Sequence, residues 1–145
     1  MKTLFLWIIL PFVLIQLIPL NRVPAQLPDT TNQEISAPEE IKNILKRSCY
    51  DCHSNALTYP WYAKIAPLSW YIQNHVKEGR RAVNFSTWQS YTQKRKAKIL
   101  SRIPKALKVR MPLPDYLWLH PEAKLTPKEK KLLSIWAEKQ QAQGE

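Results

Sequence analysis

The sequence predicts an all-α fold, a small helical domain preceded by an apolar N-terminal helix. Apolar residues recur at helical spacing, as in Ile41, Ile44, Leu45 and Ser48 or Cys49, with Lys42, Lys46 and Arg47 on the other sides. Helix-start signals with proline in the first turn occur at Ser36-Ala37-Pro38-Glu39-Glu40 and at Thr126-Pro127-Lys128-Glu129. No βαβ pattern surrounds the two cysteines of the chain. With two glycines and twelve prolines among 145 residues, prolines supply most of the punctuation.

Taken in order, Met1-Lys2-Thr3 precedes an apolar run from Leu4 to Leu20, broken only by Pro11, Gln16 and Pro19. Residues 1–22 therefore read as an export element. As a signal peptide, Val23-Pro24-Ala25 would precede a cut before Gln26. As an uncleaved anchor, the run is near the short limit of roughly 17 residues for spanning a bilayer. Trp7 and the lack of a clean Ala-x-Ala site favour the anchor, which implies membrane contact through the N-terminal helix. Residues 23–36, rich in Pro, Asn, Thr and Gln, read as a linker, and residues 37–145 as the domain.

In the domain, Ser36 is placed to cap a first helix that runs into Cys49. Ser69 is expected to cap a short helix carrying Ile72, His75 and Val76, with Gly79 as its stop. Ser86 is expected to cap a basic helix over about 87–102, and Lys94-Arg95-Lys96 reads as a solvated face. Pro104 interrupts, a short turn covers 106–109, and Met111-Pro112-Leu113-Pro114 reads as an extended loop. In the last helix Thr126 and Glu129 form a capping box, and Leu132, Leu133 and Trp136 form an apolar stripe.

The chemistry concentrates at Cys49-Tyr50-Asp51-Cys52-His53, which holds both cysteines of the chain. C-x-x-C-H is the attachment signature of a c-type haem. Two thiols one helical turn apart reach the two vinyl groups of a porphyrin, and the following imidazole projects toward the iron as proximal ligand. A Cys49–Cys52 disulfide would close a very small, strained loop. A thioredoxin-like pair wants a βαβ setting, and a zinc site almost always wants four ligands. The expected cofactor is thus one covalent haem c, held by Cys49 and Cys52 with His53 on the iron. Because such haem is attached outside the bacterial cytoplasmic membrane, a periplasmic location agrees with the export element.

Met111 is the only methionine besides the initiator. A thioether on a proline-stiffened loop downstream of the motif suits the sixth position of the iron. If Met111 does not reach it, the site is open or taken by His75, and the module becomes a sensor or binder of small ligands. Trp70, Trp61 and Tyr59 are candidate pocket walls, and Arg80 or Arg81 is a candidate partner for the haem propionates. No phosphate loop, Ser-His-Asp set or carboxylate pair stands out, so an enzyme is not expected. The formal charge of +11 suits an acidic redox partner, and no nucleic-acid module accompanies it.

Helix, C-x-x-C-H, Met-Pro loop and terminal helix with Trp136 resemble the class I cytochrome c plan. A fuller string is similar to the bacterial haem-binding-domain family of small exported proteins. It comprises Cys49 to Asn55, Tyr59-Pro60-Trp61-Tyr62, Pro67-Leu68-Ser69-Trp70, His75-Val76, Gly79-Arg80, Asn84-Phe85-Ser86 and Trp88. The resemblance implies a cytochrome c-like domain over roughly residues 36–138, with Cys49 and Cys52 on the haem, His53 proximal and Met111 distal. One departure is the absence of a glycine in the first domain helix, where the terminal helix of cytochromes c crosses closely.

Overall fold

The computed structural model describes residues 2–18, 23–24 and 31–143. Its elements are helical, and no strand occurs among the described residues. Helix α1 (Lys2–Ile15) is followed by a 3₁₀ turn (Thr31–Gln33), α2 (Glu39–Ser48) and α3 (Tyr50–His53). A turn at Trp61–Lys64 leads to α4 (Leu68–Ala82), and the turn Phe85–Ser90 leads to α5 (Gln93–Leu100) and α6 (Ile103–Val109). Then come α7 (Pro114–Leu119), a turn at Pro121–Ala123 and α8 (Pro127–Gln143).

The expected anchor is not supported. At 14 residues α1 is about 21 Å long, against a hydrocarbon core of about 30 Å. Among the described residues no helix is long and apolar enough to cross a membrane. Phe5, Trp7 and Phe12 nevertheless stand exposed along it. Its end is tied to the domain by one side chain: the Gln16 amide donates to the Ala66 carbonyl at 3.1 Å and accepts from the Ala66 N–H at 2.9 Å. The candidate cut between Ala25 and Gln26 lies outside the described residues.

Parts of the stretch read as a linker are built into the domain. The Val23 N–H donates to Gln73 Oε1 at 2.7 Å, and the Val23 carbonyl accepts from the Tyr59 hydroxyl at 2.8 Å. Ile35 is 2% exposed, and its N–H bonds the Phe85 carbonyl. An isolated Ile among polar neighbours has no periodicity to announce it, so only the fold reveals it as core.

The core gathers Ile41, Ile44 and Leu45 of α2, Tyr50, Phe85, Trp88, Leu100, Leu107, and Leu133, Trp136 and Ala137 of α8. Helix α8 lies on α5 and α6 and also touches α2. The capping box forms as expected: the Glu129 N–H donates to Thr126 Oγ1, and the Thr126 N–H donates to Glu129 Oε2. Arg47 bonds the other carboxylate oxygen at 2.7 Å, fastening α2 to the start of α8 without a glycine crossing.

Other boundaries differ from expectation. Pro38, not Ser36, precedes α2, with no side-chain cap. Helix α4 does not stop at Gly79 but runs three residues further. A Cβ on Gly79 would lie 2.4 Å from the Cys52 carbonyl oxygen, so the glycine permits helix contact rather than helix termination. Asn84 caps the turn after α4, Ser86 instead accepts the Asn55 N–H, and Thr92 caps α5. Pro114 starts α7, a helix hidden in the sequence by its flanking prolines.

Two outcomes follow. Gly79→Ala, driving a methyl against backbone, lowers unfolding free energy by about 1–3 kcal/mol in urea titrations. The Thr126 amide and Arg47 hold the Glu129 carboxyl below its ordinary pKa, so its contribution is present at neutral pH and fades as pH falls through the lowered value. Glu129→Gln therefore costs about 0.5–1 kcal/mol at neutral pH, and the gap to the parent protein closes in acid.

Candidate functional site

Helix α2 ends where its regular path breaks at Cys49 (φ −132°, ψ −31°). The Cys49 carbonyl then accepts from the N–H groups of Cys52 and His53 at 3.2 and 2.9 Å, which rolls the motif into the single turn α3. Both cysteines are free thiols and half-buried. Burial is the main cause that pushes Cys49 up to about 12 and Cys52 up to about 11, reinforced at Cys49 by Cys52 and at Cys52 by Asp51. Burial thus disfavours the thiolate form at both cysteines.

His53 Nδ1 lies 3.0 Å from the Gly79 carbonyl and 3.1 Å from the Val83 carbonyl. Both partners can only accept, so Nδ1 carries the proton and donates. In the neutral ring Nε2 then keeps its lone pair. Burial drives the imidazole below its ordinary pKa despite these two bonds, which favours that neutral form. A ring held this way is the arrangement of a metal-ligating histidine, whose second nitrogen is fixed by a backbone carbonyl. Among the described residues no three His, Cys, Asp or Glu side chains converge on a metal of their own. The donor set fits a preassembled iron macrocycle rather than a bare ion.

The segment after the motif is pinned by its own polar network. Ser54 Oγ donates to the Tyr50 carbonyl at 2.8 Å and accepts the Ala56 N–H at 3.0 Å. Asn84 Nδ2 donates to Asn55 Oδ1 at 2.7 Å, and the Asn55 N–H donates to Ser86 Oγ at 3.0 Å. These buried pairings give a physical reason for the Ser54-Asn55 and Asn84-Phe85-Ser86 strings.

Arg80 Nε donates to the Ser54 carbonyl at 2.8 Å and Nη1 to the Pro24 carbonyl at 2.9 Å, while Nη2 is buried without a partner among the described residues. Its positive charge also acts on Cys52. Arg81 instead pairs with Glu78 at the surface. Of the two arginines, Arg80 is therefore the one at the motif.

Met111 is half-buried at the end of α6, its N–H on the Ala106 carbonyl at 2.9 Å. His75 is half-buried on α4. Its Nδ1 donates to the Tyr71 carbonyl at 3.0 Å, and its ring lies 4.1 Å from that of Tyr71. Burial and the nearby Arg110 hold its pKa below the ordinary value. Tyr59 belongs to the Val23 and Gln73 contacts rather than to an open wall.

Apart from α1, exposed large apolar residues occur on α4, α6, α7, α8 and the turn before α4. Trp61 is 74% exposed and Trp118 83%, with Leu68, Tyr71, Val109 and Leu119 also uncovered. A cavity of about 230 Å³ between Trp88, Lys96, Leu100 and Trp136 includes no motif residue in its wall.

Two features had no sequence signal: the Gly79 and Val83 carbonyls as His53 acceptors, and a hydrogen bond of 2.7 Å from the Tyr116 hydroxyl to Asp51 Oδ2. No curated protein and no solved structure matches this chain. The family whose description is haem-binding domain matches residues 10–139, which include the end of α1, the docked Val23–Pro24 and the whole motif. With its proximal-type histidine, paired thiols and this match over most of its length, the chain belongs to the haem-binding domain family.

Proposed function

We propose that the protein is an exported mono-haem c-type carrier of electrons and not an enzyme. The observation that carries this reading is the His53 ring, held through Nδ1 by the Gly79 and Val83 carbonyls next to two free cysteines in the same turn. Cys49 and Cys52 would hold the haem by thioethers, His53 would ligate the iron through Nε2, and Met111 would supply the sixth ligand. When bound, the haem iron takes up and releases one electron. The residues of the chain do the rest. The Gly79 and Val83 carbonyls orient His53 and raise its basicity as a ligand. The apolar side chains around the motif exclude water. Arg80, with one amino group to spare, offers a cation to a propionate carboxylate. The strongly basic chain suits an acidic redox partner, and attachment chemistry of this type places it on the periplasmic side.

A second reading rests on His75. Its Nδ1 bond leaves Nε2 available as a base, so an open or His75-ligated sixth site would make the protein a binder of small ligands.

Expression with a haem-attachment system checks the covalent link. The exported wild-type polypeptide retains one haem after denaturation, and Cys49→Ala with Cys52→Ala releases it; colourless wild type with free or disulfide-joined sulfurs refutes the proposal. The sixth ligand is read by spectroscopy. The oxidised protein shows the far-red sulfur-to-iron band, and Met111→Ala abolishes it and opens the reduced iron to carbon monoxide. An unchanged spectrum in that variant removes Met111 and favours the His75 reading.

A further inference from the structure

Helix α7 is fastened to the motif at one residue between the two cysteines. The Tyr116 hydroxyl donates to Asp51 Oδ2 at 2.7 Å in a part-buried setting. The Tyr116 ring is itself held, stacked on His120 with 4.4 Å between centroids and 14° between planes. His120 is fixed from both sides: Nδ1 donates to Glu122 Oε1 at 3.1 Å, and Nε2 accepts the Tyr62 hydroxyl. The Pro121–Ala123 turn behind α7 packs on α2. Ahead of α7, Met111 is tied to α6 through its N–H, and only Pro112 and Leu113 separate it from Pro114, the first residue of α7. Thus the segment bearing Met111 is clamped in front by α6 and behind by a tyrosine whose partner lies two residues before His53.

We infer that the Tyr116–Asp51 hydrogen bond is a latch that holds the Met111 loop against the haem motif, making Tyr116 a positioning residue for the sixth ligand. This inference rests on Met111 being that ligand. A hydrogen bond to a carboxylate is among the stronger neutral-to-charged kinds, and here it joins segments 65 residues apart in sequence. The Tyr62–His120–Glu122 chain keeps the tyrosine ring in register, so removing the hydroxyl alone releases the loop while leaving the stacking in place. Asp51→Asn keeps an acceptor oxygen and so keeps the latch, whereas Asp51→Ala removes it.

The test compares wild type, Tyr116→Phe, Asp51→Asn and Asp51→Ala, each loaded with haem by the attachment system. Covalent haem content, the far-red sulfur-to-iron band and carbon monoxide binding to the reduced form are read together. Tyr116→Phe and Asp51→Ala are expected to keep their haem, to lose most of the band, and to bind carbon monoxide about tenfold faster or more, while Asp51→Asn stays near wild type. Wild-type spectra in Tyr116→Phe overturn the latch and leave the Met111 assignment standing. A wild type without the band removes the Met111 assignment and the latch with it. If Tyr116→Phe does not fold, the contrast between Asp51→Ala and Asp51→Asn decides: a shared wild-type spectrum overturns the latch, and a loss confined to Ala supports it.

Discussion

Everything at this site depends on one close approach, that of the last turns of α4 to the carbonyl end of the C-x-x-C-H turn. The approach requires a residue without a Cβ, because any other side chain at position 79 would meet the Cys52 carbonyl at 2.4 Å. Once α4 is that close, its Gly79 carbonyl and that of Val83, the residue after it, fall within hydrogen-bond reach of His53 Nδ1. That contact selects the tautomer and the direction of Nε2. The orientation of the ring is therefore written into a helix–helix packing event and uses backbone carbonyls as its partners.

Around this contact the fold uses polar groups as fasteners and apolar groups as walls. Asn55, Asn84 and Ser86 lock the chain leaving the motif to the turn following α4. Arg80 ties the same stretch to Val23–Pro24, which Gln73 and Tyr59 hold from below. Buried pairs of this kind resist exchange with water, since opening one would strand its partner without a hydrogen bond. The uncovered aromatic residues have the opposite character. Trp61 and Trp118 stand in water, on the turn before α4 and on α7.

The second half of the domain serves the first. Helix α8 closes the core with Leu133 and Trp136 and reaches α2 through an Arg47–Glu129 pair. Helix α2 lacks the glycine that often lets the terminal helix cross closely in cytochromes c. The Arg47–Glu129 pair joins α2 to the first turn of α8 at 2.7 Å. Helices α6 and α7 present the Met111 loop between two fixed points, one on Ala106 and one on Asp51.

Local signals were sufficient for what is local. C-x-x-C-H, the capping box at Thr126 to Glu129 and the apolar spacing of α2 are short-range patterns, and each is legible because its geometry closes within one or two helical turns. The apolar run read as an anchor shows the limit of such patterns: composition measures hydrophobicity along 17 residues, but the length of regular helix stops at Ile15. Gly79 was read as a stop because glycine ends helices more often than it joins them, and only the neighbouring chain reveals the reason for its small size. The placement of Ile35 in the core, the acceptors of His53, the choice of Arg80 over Arg81 and the Tyr116–Asp51 bond all join residues 26 or more apart in sequence or rest on burial by distant segments. The sequence alone determined the residue types and spacing of the motif and the helical class, because those depend on residue type and near spacing. The tertiary structure alone decided orientation and partnership, because those depend on which distant backbones are brought within 3 Å of one another.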